Sequence, residues 1–181
     1  MPDLVLPPPW PRFLTEVDHG LSEVVELHCA GGFVLTAVHG IPRTTADLDY
    51  ISAIPHHATE ELERIAGRDS DLAKRYKVFL QAVGGVADYP ENYESRLTTL
   101  RLGLKRLTLR ILEPYDLLLS KLTRNSPKDM EDVRALVQKL NLEFDVLLQR
   151  FRTEMSWVSR RDWHEQTLNV AWKDYFDLPR F

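Results

Sequence analysis

Apolar positions recur at two different spacings along this chain, and the change of spacing divides it into a mixed front and a helical back. Phe13 to about Gly20 reads as a short helix and Val24–Ala30, apolar and rich in β-formers, as a first strand. Phe33–His39 reads as a helix of about two turns, ended by Gly40 with Pro42 just beyond. Ala46–Ile54 alternates as a second strand, terminated by Pro55. Thr59 is placed to cap a helical region that runs, with a break at Gly67–Ser70, to about Val83, where Gly84-Gly85 ends it. Arg96–Leu104 and Lys105–Leu112 read as two further strands, with Leu107, Leu109 and Ile111 on one face. Beyond Pro114 the period becomes helical: Tyr115–Thr123, Pro127–Leu140, and one or two helices over Glu143–Tyr175. This order predicts an α+β fold: a small mixed β-sheet flanked by helices, with a helical C-terminal portion. Residues 1–113 would form the core behind a proline-rich arm (Leu6-Pro7-Pro8-Pro9-Trp10-Pro11), and residues 114–181 the helical portion packing on it.

The densest chemistry lies where the first strand ends and the second begins. Gly31-Gly32 follows the first apolar run, and fourteen residues separate Gly32 from the Asp-x-Asp of Asp47 and Asp49. Alternate strand positions project from one face, so the two carboxylates point the same way. They repel unless a cation lies between them, and hard oxygen donors suit Mg²⁺ or Mn²⁺. Glycines permit close backbone approach, and the free N–H groups of a helix starting at Phe33 would face whatever sits there. A phosphate cradle beside a pair of metal ligands is the minimum equipment for phosphoryl or nucleotidyl transfer.

A second constellation follows Pro114. Ser126-Pro127-Lys128-Asp129 is a helix start with a capping serine, proline at the first position and an acid three residues after the cap. Val133, Leu136, Val137 and Leu140 form the apolar stripe of that helix. At about 100° per residue Asp129 falls inside the stripe and Asp132 on its edge. An inward carboxylate is costly unless paired or hydrogen-bonded, so either the cap satisfies Asp129 or it faces a cleft at the end of the core and meets a cation, and the two readings are compatible. Lys121, Arg124 and Lys128 precede it. A lysine on a helix is ordinarily solvated; the alternative for Lys121 is a cation that balances triphosphate charge.

Composition narrows the class without naming it. The 181 residues are 44% hydrophobic, enough for one domain with a core or one domain plus a helical extension. The single cysteine, Cys29, excludes an internal disulfide and reads as a buried thiol. No apolar run approaches the roughly 20 residues of a membrane span, and the proline arm is no signal peptide, so a cytoplasmic location is expected. Net charge is −4, which argues against a dedicated nucleic-acid coat. Thr44–Asp71 carries seven acidic and two basic residues, Arg101–Lys128 seven basic and two acidic. These segments are either two solvated faces or the metal and phosphate sides of one cleft. His56-His57 lacks partners at zinc-ligand spacing, His28 and His39 read as packed or solvent-edge histidines, and Trp157, Trp163 and Trp172 as core or partner surface.

Gly31-Gly32 followed by Arg43-Thr44-Thr45-Ala46-Asp47-Leu48-Asp49 resembles the glycine-pair and Asp-x-Asp signature of the nucleotidyltransferase superfamily related to DNA polymerase beta. The later run from Glu113 to Val133, with Lys121, Arg124, Lys128-Asp129 and Asp132, resembles the bacterial families around the AbiEii and MenT toxins. The resemblance covers about Val24 to Leu140 and implies a nucleotidyltransferase fold. It also implies Mg²⁺-dependent transfer of a nucleoside monophosphate from an NTP to tRNA or a protein, with a possible cognate antitoxin. By position, Gly31 and Gly32 would hold the triphosphate, Asp47 and Asp49 the metal, and Lys121 a phosphate. Asp129, with Asp132 behind it, would be the distal acidic motif; Arg43 would touch the nucleotide, and Arg124 is a further candidate. Gly32 stands where many relatives have serine, and the last strand offers only Arg110 and then Glu113 in place of a third carboxylate. The alternative is therefore a catalytically weak or inactive member of the fold that acts as a protein-binding regulator.

Overall fold

The computed structural model describes the backbone of residues 6–85 and 88–176, and their side chains except 170, 171 and 173–176. It divides into two compact units, Met1–Val86 with Leu97–Leu112, and Ala87–Arg96 with Glu113–Phe181.

The first unit contains α1 (Trp10–Gly20), β1 (Val25–Ala30), a short helix α2 (Gly31–Phe33) continuing as a π-helical stretch over Val34–Val38, and β2 (Asp47–Ile54). It continues with α3 (Ala58–Ala66), α4 (Asp71–Tyr76), β3 (Phe79–Ala82), β4 (Thr98–Thr99) and β5 (Leu107–Ile111). The five strands form one sheet in the order β3-β2-β1-β5-β4. Pairings of β1 with β2 and β4 with β5 are antiparallel; those of β1 with β5 and β2 with β3 are parallel. The sheet is mixed and helices flank it, as the element order predicts.

Strand alternation sorts the sheet into two faces. Val25, Leu27 and Cys29 lie on one face with Leu48, Tyr50, Leu107, Leu109 and Ile111, all buried. Phe13, Leu14 and Val17 of α1 and Leu62 and Ala66 of α3 complete the core. Each fully buried Leu or Phe contributes about 1.5–3 kcal/mol. A bulge between His28 and Cys29 leaves Ile51 unpaired, since Cys29 faces Tyr50 and His28 faces Ser52.

Several boundaries differ from the sequence reading. The predicted helix to Val83 stops at Tyr76, where Lys77 turns left-handed with φ 61°. Phe79–Ala82 is then a strand: the exposed edge of β2 accepts it, with Phe79 N–H donating to Ala46 O and Val83 N–H to Tyr50 O, both at 2.9 Å. The Arg96–Leu104 strand shrinks to Thr98–Thr99. Thr59 does not cap α3; the helix starts two residues earlier than that cap would place it, at Ala58, and the Thr59 hydroxyl donates to His56 O instead. The glycine pair opens the helix that was expected to begin at Phe33.

The second unit holds a 3₁₀ turn (Tyr93–Arg96), α5 (Pro114–Arg124), α6 (Pro127–Leu140), α7 (Phe144–Glu154) and α8 (Arg161–Phe176). Helix α6 has the predicted bounds, and both halves of the Ser126–Asp129 capping box form. A buried ion network stitches the turn to two helices. Arg96 Nε and Nη2 donate to the two oxygens of the fully buried Asp116, at 2.8 and 3.0 Å, and Nη2 also reaches Glu154 at 2.7 Å. Arg150 joins Asp116 to Glu113. Among the described residues no helix is long and apolar enough to cross a membrane.

One buried carboxylate fixes α1 to the start of β5. Asp18, 4% exposed, accepts backbone N–H groups of Lys105, Arg106 and Leu107 at 2.9, 2.6 and 2.8 Å. Burial opposes its ionisation, but these three donors outweigh burial and hold the carboxyl below its usual range. A carboxyl lowered on folding stabilises fully above its unfolded value, near pH 4, and that contribution disappears as pH falls through the folded value. Asp18→Asn should therefore lower stability by about 2–3 kcal/mol at neutral pH and flatten the acid limb, both measured by urea unfolding across pH. Equal stability at neutral pH would show that the clasp contributes nothing.

Candidate functional site

Strand β2 presents Asp47 and Asp49 on the face opposite Leu48 and Tyr50, and both carboxylates are half-buried rather than sealed in hydrocarbon. Ala30, the last residue of β1, lies directly across from Asp49. The chain then turns into α2 through Gly31, whose φ is +70°, a left-handed conformation that side chains rarely adopt. A Cβ at Gly31 would overlap the Asp49 carboxylate, standing 2.8 Å from its Cγ. Gly31 therefore has two independent reasons to be glycine, the turn and the close approach of the acid.

The loop before β2 closes over Gly32. A Cβ there would stand 2.7 Å from Thr45 Oγ1 and 3.4 Å from Arg43 Cζ. Thr45 Oγ1 donates to Asp47 Oδ1 at 2.7 Å. Gly31, Gly32, Arg43, Asp47 and Asp49, singled out along the sequence, thus occupy one patch of this unit. Thr45 is the member that the sequence reading quoted within the motif but gave no role; its signal was a hydroxyl two residues before an acid. Beneath the patch Cys29 is fully buried, and burial, reinforced by the Asp49 carboxylate, pushes its thiol far up. Its Sγ donates to Leu27 O, on the sheet face opposite the two aspartates.

The same sheet face carries Glu26, His28 and Arg110. Arg110 Nη1 donates to Glu26 Oε1 at 3.1 Å, and that oxygen lies 3.0 Å from His28 Nε2. On β5 this face shows Thr108 and Arg110, neither an acid. Glu113 caps α5 through Asp116 N–H and holds Arg150. Among the described residues no group of three or more His, Cys, Asp and Glu gathers that could hold a metal. Two carboxylates on one face still fit Mg²⁺, which keeps several waters and is held by one or two carboxylates plus substrate phosphates. Asp47 and Asp49 would hold it.

The helical unit brings Lys121, Arg124, Asp129 and Asp132 together. Lys121 is buried with its Nζ 2.8 Å from Asp132 Oδ2 and 3.4 Å from Asp129 Oδ1. Asp129 accepts from Arg124 through both Nε and Nη2 and from the N–H and hydroxyl of Ser126. Burial works against the charge on Asp129, yet the Arg124 and Ser126 hydrogen bonds and the Lys121 and Arg124 charges hold its carboxyl well below the usual range. The capping reading of Asp129 holds, and the buried carboxylate is further paired with the chain's own Lys121 and Arg124.

A family profile described as nucleotidyltransferase of unknown function (DUF6036) matches residues 15–180, spanning both constellations. The chain belongs to that family. Comparison with curated proteins and with solved structures found no match. Membership in a nucleotidyltransferase family agrees with the broad superfamily that the glycine pair and Asp-x-Asp resemble.

Lys121→Met should leave Asp129 and Asp132 buried with too little positive charge, costing about 3–5 kcal/mol by urea denaturation. Lys121→Met/Asp132→Leu should recover part of that loss, because both members of one pair are then apolar. Unchanged stability in the single variant would contradict the pairing.

Proposed function

We propose that this member of the nucleotidyltransferase family is a Mg²⁺-dependent enzyme that moves a nucleoside monophosphate from an NTP to tRNA or a protein. In this reading it acts in the cytoplasm as the toxin-like component of a toxin–antitoxin or phage-defence system of the AbiEii/MenT kind, restrained by a cognate antitoxin. The observation that carries the reading is the single patch formed by Gly31, Gly32, Arg43, Asp47 and Asp49. The acceptor's hydroxyl oxygen bonds to the α-phosphorus, the bond from that phosphorus to the oxygen bridging to the β-phosphate breaks, pyrophosphate leaves, and the hydroxyl's proton passes to solvent water. A bound Mg²⁺ would supply charge neutralisation on the phosphates. Asp47 and Asp49 orient that charge, Gly31 and Gly32 let the main chain approach the triphosphate, and Arg43 adds a cation beside Gly32. From the resemblance, Lys121 is proposed as a phosphate contact and Asp129, with Asp132 behind it, as the distal acidic motif, Arg124 being a further candidate.

A second reading, a catalytically weak regulator with this fold, is favoured by one observation. Asp129 is ringed by donors and its carboxyl is held low, so it is a poor proton acceptor for the attacking hydroxyl. Calorimetry separates the readings, since absence of binding by any NTP with Mg²⁺ at millimolar concentration would favour the regulator.

The deciding assay incubates the protein with each α-labelled NTP, Mg²⁺, and total cellular RNA and protein. One nucleotide should label one fraction, and Asp49→Ala should reduce that label to background. Transfer that persists unchanged in Asp47→Ala/Asp49→Ala would refute the assigned metal site.

A further inference from the structure

The two glycines are glycine for different reasons, and the second reason singles out Thr45. Gly31 has a left-handed backbone, whereas Gly32 is absent from the positive-φ positions, so its conformation suits any residue. What excludes a side chain at Gly32 is Thr45: a Cβ there would lie 2.7 Å from Thr45 Oγ1 and 3.3 Å from Thr45 Cβ. The hydroxyl occupying that space has a single proton. Its shorter acceptor is Asp47 Oδ1 at 2.7 Å; the main-chain oxygen of Asp47 is 3.3 Å away. An aspartate side chain turns about two torsions, and a hydrogen bond to one oxygen restrains both. Groups that hydrogen-bond a metal ligand set its orientation, and their loss typically weakens metal binding 10–100-fold.

We propose that Thr45 is a positioning residue whose hydroxyl fixes the Asp47 carboxylate for a divalent cation, and that Gly32 is the space this hydroxyl requires. The inference rests on reading Asp47 and Asp49 as the metal ligands. A threonine that merely shaped the loop would leave cation binding indifferent to the hydroxyl, provided that the loop stayed folded. The methyl group separates the two roles, because serine keeps the hydroxyl without it and valine keeps a β-branched shape without the hydroxyl.

Mn²⁺ binding to the full chain, followed by the loss of the free-ion electron paramagnetic resonance signal, reads this without any nucleotide or turnover. Thr45→Val should weaken Mn²⁺ binding by about 10-fold or more while circular dichroism stays that of the parent, and Thr45→Ser should bind within about 3-fold of it. Gly32→Ala attacks the same bond from the other side and should weaken binding comparably, with Gly32→Ala/Thr45→Val no worse than either single change. The double variant and Gly32→Ala keep the test valid if Thr45→Val alone folds poorly. Parent-like binding by folded Thr45→Val, or binding by Thr45→Ser as weak as that of Thr45→Val, would overturn the proposal. Mn²⁺ binding that is the same in Asp49→Ala as in the parent would overturn the metal-site reading itself and take this inference with it.

Discussion

The Asp49 carboxylate lies against the main chain of Gly31, in space that any side chain would fill. The contact is possible because β1 ends opposite Asp49 and the chain turns there through a left-handed residue. Asp47 then follows from strand alternation, since a carboxylate two residues away on β2 shares the face. Register is what makes this secure. Leu48 and Tyr50 are buried on the reverse side, so a one-residue slip of β2 would drive both aspartates into the core and expose two large apolar groups. The hydrophobic pattern thus holds the acids in place, although it touches no substrate.

Much of this patch was readable from sequence because its determinants are local. The Asp-x-Asp spacing, the glycine pair and the period of β5 each concern neighbouring residues, and the capping box of α6 is set within four. What sequence did not reveal depends on partners far along the chain. Phe79–Ala82 has a helix-compatible composition, and only the open edge of β2 makes it a strand. Asp18 sits on a helix surface by pattern, and its burial comes from three N–H groups about ninety residues away. The surroundings of Gly32 were equally hidden: Thr45 Oγ1 fills the space that a Cβ there would take.

The helical unit shows a different economy. Its inward carboxylates, Asp116, Asp129 and Asp132, are all matched by arginine or lysine, so burial is tolerated through pairing rather than avoided. Such networks fix geometry at the expense of availability. A carboxylate that accepts from two arginine nitrogens and from a serine by both backbone and hydroxyl can order cations, but it is badly placed to accept a proton. The angles of Asp129 and Asp132 on the helix mark both as inward carboxylates in the sequence, but their pairing with Lys121, which lies on the preceding helix, is visible only in the folded chain. Of the basic residues in Arg101–Lys128 that fall in this unit, Lys121 and Arg124 are paired with Asp129 or Asp132, and Lys128 is exposed.

The proposed chemistry requires a divalent cation beside Asp47 and Asp49. Crystals of the protein soaked with Mn²⁺ and a non-hydrolysable NTP analogue, with data collected at the manganese absorption edge, measure this directly. An anomalous peak within coordination distance of both carboxylates, with analogue phosphate density beside it, is the predicted result. Ordered analogue with the manganese peak elsewhere, or with no peak at the two aspartates, would contradict it.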